Sequence, residues 1–223
     1  LAEMREDGYN ASGIKADISI ESDIKKLFDY TIEKLGKIDI WINNAGISGR
    51  YIPLGEQSSE EITNVIDVNL KGTLLSNRIL LPYFIKEGSG IIINMSGRGG
   101  SGEASPYMTP YAATKAAVTS LTKSLGAEYK EYPISIFSVM PGMVDTDLIK
   151  STKTNEKLAK DMEALPYILN AFGVPIGVVA KKIAVIASQK PGKVTGKNYS
   201  FLSGWRLFRG IILITLYKII GKV

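Results

Sequence analysis

The chain has 223 residues, 45% of them hydrophobic, enough to bury one full core. It contains no cysteine and no histidine, which excludes disulfides, thiolate nucleophiles, Ser-His-Asp triads and the usual zinc sites, so no metal site is expected. Of the net charge of +5, four units fall in residues 205–223, where Arg206, Arg209, Lys218 and Lys222 occur without an acid; the nearly neutral remainder offers no basic stripe for nucleic acid.

In chain order, Leu1–Asp7 reads as the end of a helix, followed by a first β-branched run at Ile14–Ile18. A helical pattern at 22–35 closes on Gly36, a natural C′ residue, and leads to a second strand, Ile38–Ile42. The stretch 58–87 is helical, opened by the capping box Ser58-Ser59-Glu60-Glu61, with Asn69 as a candidate break between 58–67 and 69–87. Ile91–Met95 is the third strand. Thr109-Pro110 supplies an N-cap followed by proline for a helix over 110–130. Ile134–Val139, a helix over 175–188 and Tyr199–Leu202 complete the pattern. The three middle strands are almost continuously apolar, as parallel strands covered on both faces are. Strand–helix alternation of this kind predicts an α/β fold with a doubly wound parallel sheet. No internal repeat or low-complexity linker interrupts it.

In such sheets ligands bind beyond the carboxyl ends of the strands. Compact polar and glycine clusters fall at those places: Asp17, then Asn43-Asn44-Ala45-Gly46, then Ser96-Gly97-Arg98-Gly99-Gly100, then Pro141-Gly142-Met143-Val144-Asp145-Thr146. After the third of them comes Tyr111-Ala112-Ala113-Thr114-Lys115. Four residues apart on a helix, Tyr111 and Lys115 share one face. A neighbouring ammonium favours the phenolate, so the pair is expected to lower the Tyr111 pKa and make it an acid–base group. Spacing alone is weak evidence. With 11 tyrosines and lysines nearly twice as frequent, Tyr-x-x-x-Lys arises about once by chance, and Tyr30–Lys34 is a second instance on an amphipathic helix.

The ordered set Asp17, Asn43–Gly46, Val68-Asn69, Tyr111–Lys115 and Pro141-Gly142-x-Val144-x-Thr146 resembles the short-chain dehydrogenase/reductase family, over roughly residues 13–204. The similarity is to the branch that includes 3-oxoacyl-carrier-protein reductases. It implies a Rossmann-like domain over 1–204 and a C-terminal extension over 205–223. It further implies an NAD- or NADP-dependent oxidoreductase interconverting an alcohol and a carbonyl of a small molecule, in a homo-oligomer. By that resemblance Tyr111 exchanges a proton with substrate, while Lys115 tunes Tyr111 and binds the nicotinamide ribose. Asn69 holds a relay water. Asp17 and Ile18 meet the adenine; Asn43, Asn44, Ala45 and Gly46 let the backbone approach the cofactor. Pro141, Gly142, Val144 and Thr146 close over the nicotinamide and its phosphates, although Asp17 and Thr146 also read as turn and cap residues.

Two departures from the family pattern stand out. Where the family reads Asn-x-Ser-Ser, this chain reads Asn94-Met95-Ser96-Gly97. The carbonyl-polarising serine is replaced by Gly97, and Ser96 or Ser101 would have to serve. The family's glycine-rich Thr-Gly-x-x-x-Gly-x-Gly turn has no counterpart in Leu1–Ser12, so the chain is expected to be a fragment lacking the first strands and that turn. A non-catalytic scaffold that kept the fold is the alternative. No signal-peptide pattern opens the chain, which makes the cytoplasm the default compartment. The run Ile211–Tyr217 is too short to span a bilayer and, with Arg206 and Arg209 on a different side from Lys218 and Lys222, is not cleanly amphipathic. Residues 206–223 are expected to pack on a partner subunit, to touch a membrane surface, or to cover the site.

Overall fold

The structure, a computed structural model, describes residues 1–222. Four strands, β1 (Ile40–Asn43), β2 (Gly90–Met95), β3 (Ile134–Met140) and β4 (Lys197–Ser200), pair in the order β1-β2-β3-β4, all parallel. Each connection is helical: α3 (Ser59–Ile66) and α4 (Gly72–Glu87) join β1 to β2, and α5 (Thr109–Glu128) joins β2 to β3. The last crossover holds α6 (Asp147–Lys150), α7 (Ala159–Glu163), α8 (Leu165–Phe172) and α9 (Ile176–Ala187). α1 (Ala2–Glu6) and α2 (Glu21–Leu35) precede the sheet, and α10 (Gly204–Ile219) follows it.

Local signals explain most boundaries. The Ser58 hydroxyl accepts from Glu61 N (3.2 Å) and the Glu61 carboxylate accepts from Ser58 N (2.8 Å), the full reciprocal capping box. Gly36 ends α2 at φ +78°. α5 starts one residue earlier than expected, with Thr109 inside the helix and Met108 at the cap. β2 and β3 are buried along nearly their whole length, and apolar clusters cover both faces. Ile92, Ile134, Ile136, Leu80 and Phe84 form one; Ile91, Ile93, Phe137, Val139 and Val174 form the other.

Three expectations are corrected. Ile14–Ile18 is not a strand. A strand needs a neighbour to take its ladder of hydrogen bonds, and among the described residues no strand lies on the outer side of β1, opposite β2, where Ile40 and Ile42 are exposed. Asn69 does not break its helix. α3 runs into α4 through one π-turn, Asp67–Lys71, with Asn69 buried at its centre. The segment 147–173 contains helices that hydrophobic periodicity missed: α6 (Asp147–Lys150), α7 (Ala159–Glu163) and α8 (Leu165–Phe172).

Candidate active site

Because all four strands are parallel, the clusters after β1, β2 and β3 gather at one sheet edge, as the strand-end rule requires. The first turn of α5 brings Tyr111 to this edge and the second brings Lys115. Both are nearly buried, with 8% and 5% of their surface exposed. Lys115 Nζ lies 5.5 Å from the centre of the Tyr111 ring and donates to the Met95 carbonyl at 2.9 Å. A Cβ placed on Gly46 would lie 3.1 Å from Asn69 Oδ1 and 3.5 Å from Lys115 Nζ, so the turn after β1, the π-turn and α5 converge on one point.

Electrostatics depart from the sequence expectation. Burial pushes the Tyr111 phenol up to about 12 and pulls the Lys115 ammonium down to about 8. Both shifts come from burial: each group is screened from water, which disfavours the phenolate and the ammonium alike and outweighs the Lys115 bond to Met95 O. At neutral pH Tyr111 is therefore a phenol able to donate, and Lys115 remains mostly charged.

Asn69 acts as a clamp. Its Oδ1 accepts from Ile47 N at 2.8 Å; its Nδ2 donates to Ile47 O at 2.8 Å and to Thr114 Oγ1 at 3.3 Å. The π-turn aims this amide at the turn after Gly46, and π-turns are a recurrent device at functional sites. With so much of its amide engaged, the side chain serves to hold that turn in place.

Behind the edge lies a polar network that sequence reading missed. Asn94, fully buried in β2, accepts at Oδ1 from Asn43 Nδ2 (2.8 Å) and Asn77 Nδ2 (3.0 Å) and donates to Thr122 Oγ1 (3.1 Å). It ties β1, β2, α4 and α5 together beneath the site. A lone amide in the run Ile91-Ile92-Ile93-Asn94 was the available signal, since a buried polar group must find partners. Asn43 Oδ1 also accepts from Trp41 Nε1 at 2.9 Å.

Ser96 does not reach the cleft. It is buried, and its Oγ bonds the Lys115 carbonyl (3.0 Å) and Thr119 Oγ1 (2.8 Å), both on α5. Both residues follow β2 and abut α5, Ser96 beneath Lys115 and Thr119 and Gly97 beneath Tyr111. A Cβ on Gly97 would lie only 2.6 Å from Tyr111 Oη. Ser101, the other candidate, directs its hydroxyl at Met140 Sδ (3.6 Å).

The remaining predicted residues divide by environment. Gly142 has φ +82°, and a Cβ there would meet Val174 Cγ2 at 2.9 Å and Leu202 Cβ at 3.1 Å, so the Pro141–Thr146 loop folds this tightly only with glycine. Val144 packs into the core against the sheet. Thr146 precedes α6, but its hydroxyl bonds Val144 O (3.3 Å) and caps no helical N–H. Asp17 is exposed, and its Oδ1 takes both Ser19 N (2.9 Å) and Ser19 Oγ (2.7 Å), a turn that holds its carboxyl below the usual range. Ile18 packs its backbone against α4, where a Cβ on Gly72 would touch Ile18 O at 2.7 Å. Asn44 and Ala45 are exposed at the end of β1.

A parallel sheet with a Tyr–Lys pair on the helix after a glycine-rich strand end defines a class of nucleotide-binding α/β proteins. The chain belongs to the short-chain dehydrogenase family, whose model matches residues 1–157. It is 33% identical over 211 residues to a chloroplastic chlorophyll(ide) b reductase of Arabidopsis thaliana, covering 92% of this chain and 59% of the relative. It is 29% identical over 206 residues to glucose 1-dehydrogenase 2 of Bacillus subtilis, covering 92% and 78%. Across the chlorophyll(ide) b reductases of Arabidopsis and rice, the chain spans from 59% of the relative's length down to 28%. Among solved structures, a 3-ketoacyl-(acyl-carrier-protein) reductase from Brucella melitensis complexed with NADH matches with TM-score 0.71 at 28% identity, over 84% of this chain and 75% of that one. An NAD+-bound xylitol dehydrogenase shares the fold, with TM-score 0.77 at 22% identity over 91% and 82%.

Proposed function

We propose that the protein is an NAD(P)-dependent oxidoreductase that interconverts an alcohol and a carbonyl, with Tyr111 as the proton-transfer group. One observation carries the reading: the Tyr111 hydroxyl, held as a phenol by burial, stands over the bare backbone of Gly97 beside Lys115. A phenol near neutral pH is the form needed to protonate a carbonyl oxygen as it becomes an alcohol.

The residues at the sheet edge fit a nicotinamide nucleotide. Gly46 leaves open the space a Cβ would fill beside Asn69 and Lys115, and Lys115 commits one of its three N–H donors to Met95 O. Lys115, the Asn43–Gly46 turn and the Pro141–Thr146 loop would hold the cofactor, with Asp17 and Ile18 at its adenine end. When bound, the nicotinamide would supply or take the hydride. Tyr111 would orient the substrate oxygen and pass it a proton. Lys115 would keep positive charge beside the phenolate that this leaves, easing a loss that burial otherwise opposes. Asn69 would hold Ile47, and with it Gly46, in place. Gly97 brings no hydroxyl of its own, so Tyr111 is the one hydroxyl we assign to the carbonyl.

The same proposal takes 1–204 as the nucleotide-binding domain and 205–223 as an added segment, on a cytoplasmic homo-oligomer acting on a small molecule. The test is consumption of reduced nicotinamide by wild type and Tyr111→Phe, with a panel of carbonyl substrates. Wild-type turnover that the variant loses supports the reading; full turnover in Tyr111→Phe overturns it.

A further inference from the structure

Helix α10 lies against α8 by one face only. Arg206 Nη1 donates to Gly173 O at 3.1 Å, and Tyr217 Oη donates to Asn170 Oδ1 at 3.1 Å. Gly210 is buried so closely on Phe172 that a Cβ would come within 2.4 Å of the ring. Arg206, Gly210, Leu213, Ile214 and Tyr217 are buried or half-buried on this side. Most of the large apolar residues of the helix face away. Trp205, Phe208, Ile212, Leu216 and Ile219 are 73%, 54%, 44%, 50% and 75% exposed. At helical spacing they fall within a sector of about 80°. Arg206 and Arg209 donate to Gly173 O (3.1 Å) and Asn170 O (3.5 Å), while Lys218 is exposed on the helix and Lys222 follows its end. With no acid in 205–223, these four cations leave the segment positively charged around its apolar stripe.

We propose that this stripe docks on an anionic lipid surface, with the protein lying on the membrane without crossing it. An aromatic and aliphatic face on a cationic segment is the composition of helices that lie in the headgroup layer. Among the described residues no helix is long and apolar enough to cross a membrane. Charge selects lipid over a second copy of the chain. A two-fold pairing would set this segment against itself, bringing two sets of Arg209, Lys218 and Lys222 together with no acid in 205–223 on either side. Lipid phosphates supply the missing negative charge. The helix is also tied to the site: the chain leaving α8 bridges Gly173 to Met143, and Val174 N donates to Met143 O at 2.7 Å. Lipid contact at α10 is therefore one parallel bridge away from the Pro141–Thr146 loop.

Binding is read without substrate or turnover, so the proposal stands or falls independently of the oxidoreductase reading. The purified protein is sedimented with vesicles of phosphatidylcholine alone and with equimolar phosphatidylcholine and phosphatidylglycerol, at low and high salt. About tenfold or more tighter binding to the anionic vesicles, weakened by salt, is expected, with a blue shift of Trp205 emission. The triple variant Trp205→Glu, Phe208→Glu, Ile212→Glu should lose binding while melting like wild type, since all three side chains are exposed. Lys218→Glu with Lys222→Glu should remove the preference for anionic lipid. Absence of binding, equal affinity for neutral and anionic vesicles, or undiminished binding by the triple variant would overturn the proposal. So would a triple variant that shifts the sedimentation mass from dimer to monomer while vesicle binding is absent throughout, which would assign the stripe to a second copy.

Discussion

Tyr30–Lys34 and Tyr111–Lys115 share spacing, helical setting and even ring geometry, with Nζ 5.8 Å and 5.5 Å from the respective ring centres. Their chemistry is opposite. Lys34 is exposed and pairs with Glu33 at 2.9 Å, which raises its pKa, and the Tyr30 hydroxyl bonds Ser12 on the surface. Among the described residues Lys115 has no carboxylate partner, and its burial lowers its pKa to about 8. A Tyr-x-x-x-Lys repeat guarantees that the two side chains can meet; burial decides whether the lysine is drawn toward neutral pH and the tyrosine held as a phenol.

The comparison can be broken most sharply at the tyrosines. Tyr111→Phe should lower kcat by about 100- to 10,000-fold, the usual loss of an acid–base group, while Tyr30→Phe leaves it unchanged; steady-state assays of both variants decide. Next in size is a pH effect on stability. Lys115 holds its proton only to about 8 when folded against 10.5 as a free side chain. Between those values the unfolded chain binds more protons, so stability rises with pH. Tyr111 works the other way. Its folded value of about 12 against 10 means stability falls as pH rises from 10 to 12. Lys115→Met should remove the rise between about pH 8 and 10, on the order of a few kcal/mol, and Lys34→Met should not; denaturant melts across that range measure the difference.

Asn69→Ala should cost roughly 1–3 kcal/mol, because Ile47 N and O lose the amide that bonds both. Turnover should fall with it, as the Gly46 turn loosens. Gly97→Ala should cost about tenfold in kcat, the scale of roughly 1.4 kcal/mol in a barrier, since the added Cβ would lie 2.6 Å from Tyr111 Oη and push the hydroxyl aside. A thermal melt close to wild type would separate this from general misfolding. Smallest is Ser96→Ala. Its Oγ serves α5, so about 1 kcal/mol of stability should go while turnover stays within about threefold. A loss near 100-fold would return Ser96 to the reaction.

Much of this was legible in residue order. Continuous apolar runs marked β2 and β3, Ser58 with Glu61 marked the start of α3, and Gly36 marked the end of α2. Ile14–Ile18 misled because β-branched composition marks residues that suit a strand, and a strand exists only where a neighbour accepts its backbone bonds. Thr146 as a cap pointed to α6, but the helices over 159–172 were missed because they are short and interrupted, too brief for a 3.6-residue period to show. Ser96 stands as a candidate in the sequence because the glycine-rich run after it could bend it toward the cleft; its hydroxyl instead bonds Lys115 O and Thr119 Oγ1.

The sequence by itself determined the family, the parallel order of strands and helices, and the side chains available for proton transfer in a chain without histidine or cysteine. Those follow from local patterns and chemical inventory. Tertiary structure decided which Tyr–Lys pair is buried, that Gly97 stands where a serine's Cβ would strike Tyr111, that Asn69 clamps the Gly46 turn, and that α10 shows its apolar face to the outside. Each of these depends on what lies beside a residue in space, and desolvation, steric contact and hydrogen-bond partnership are set by neighbours distant in the chain.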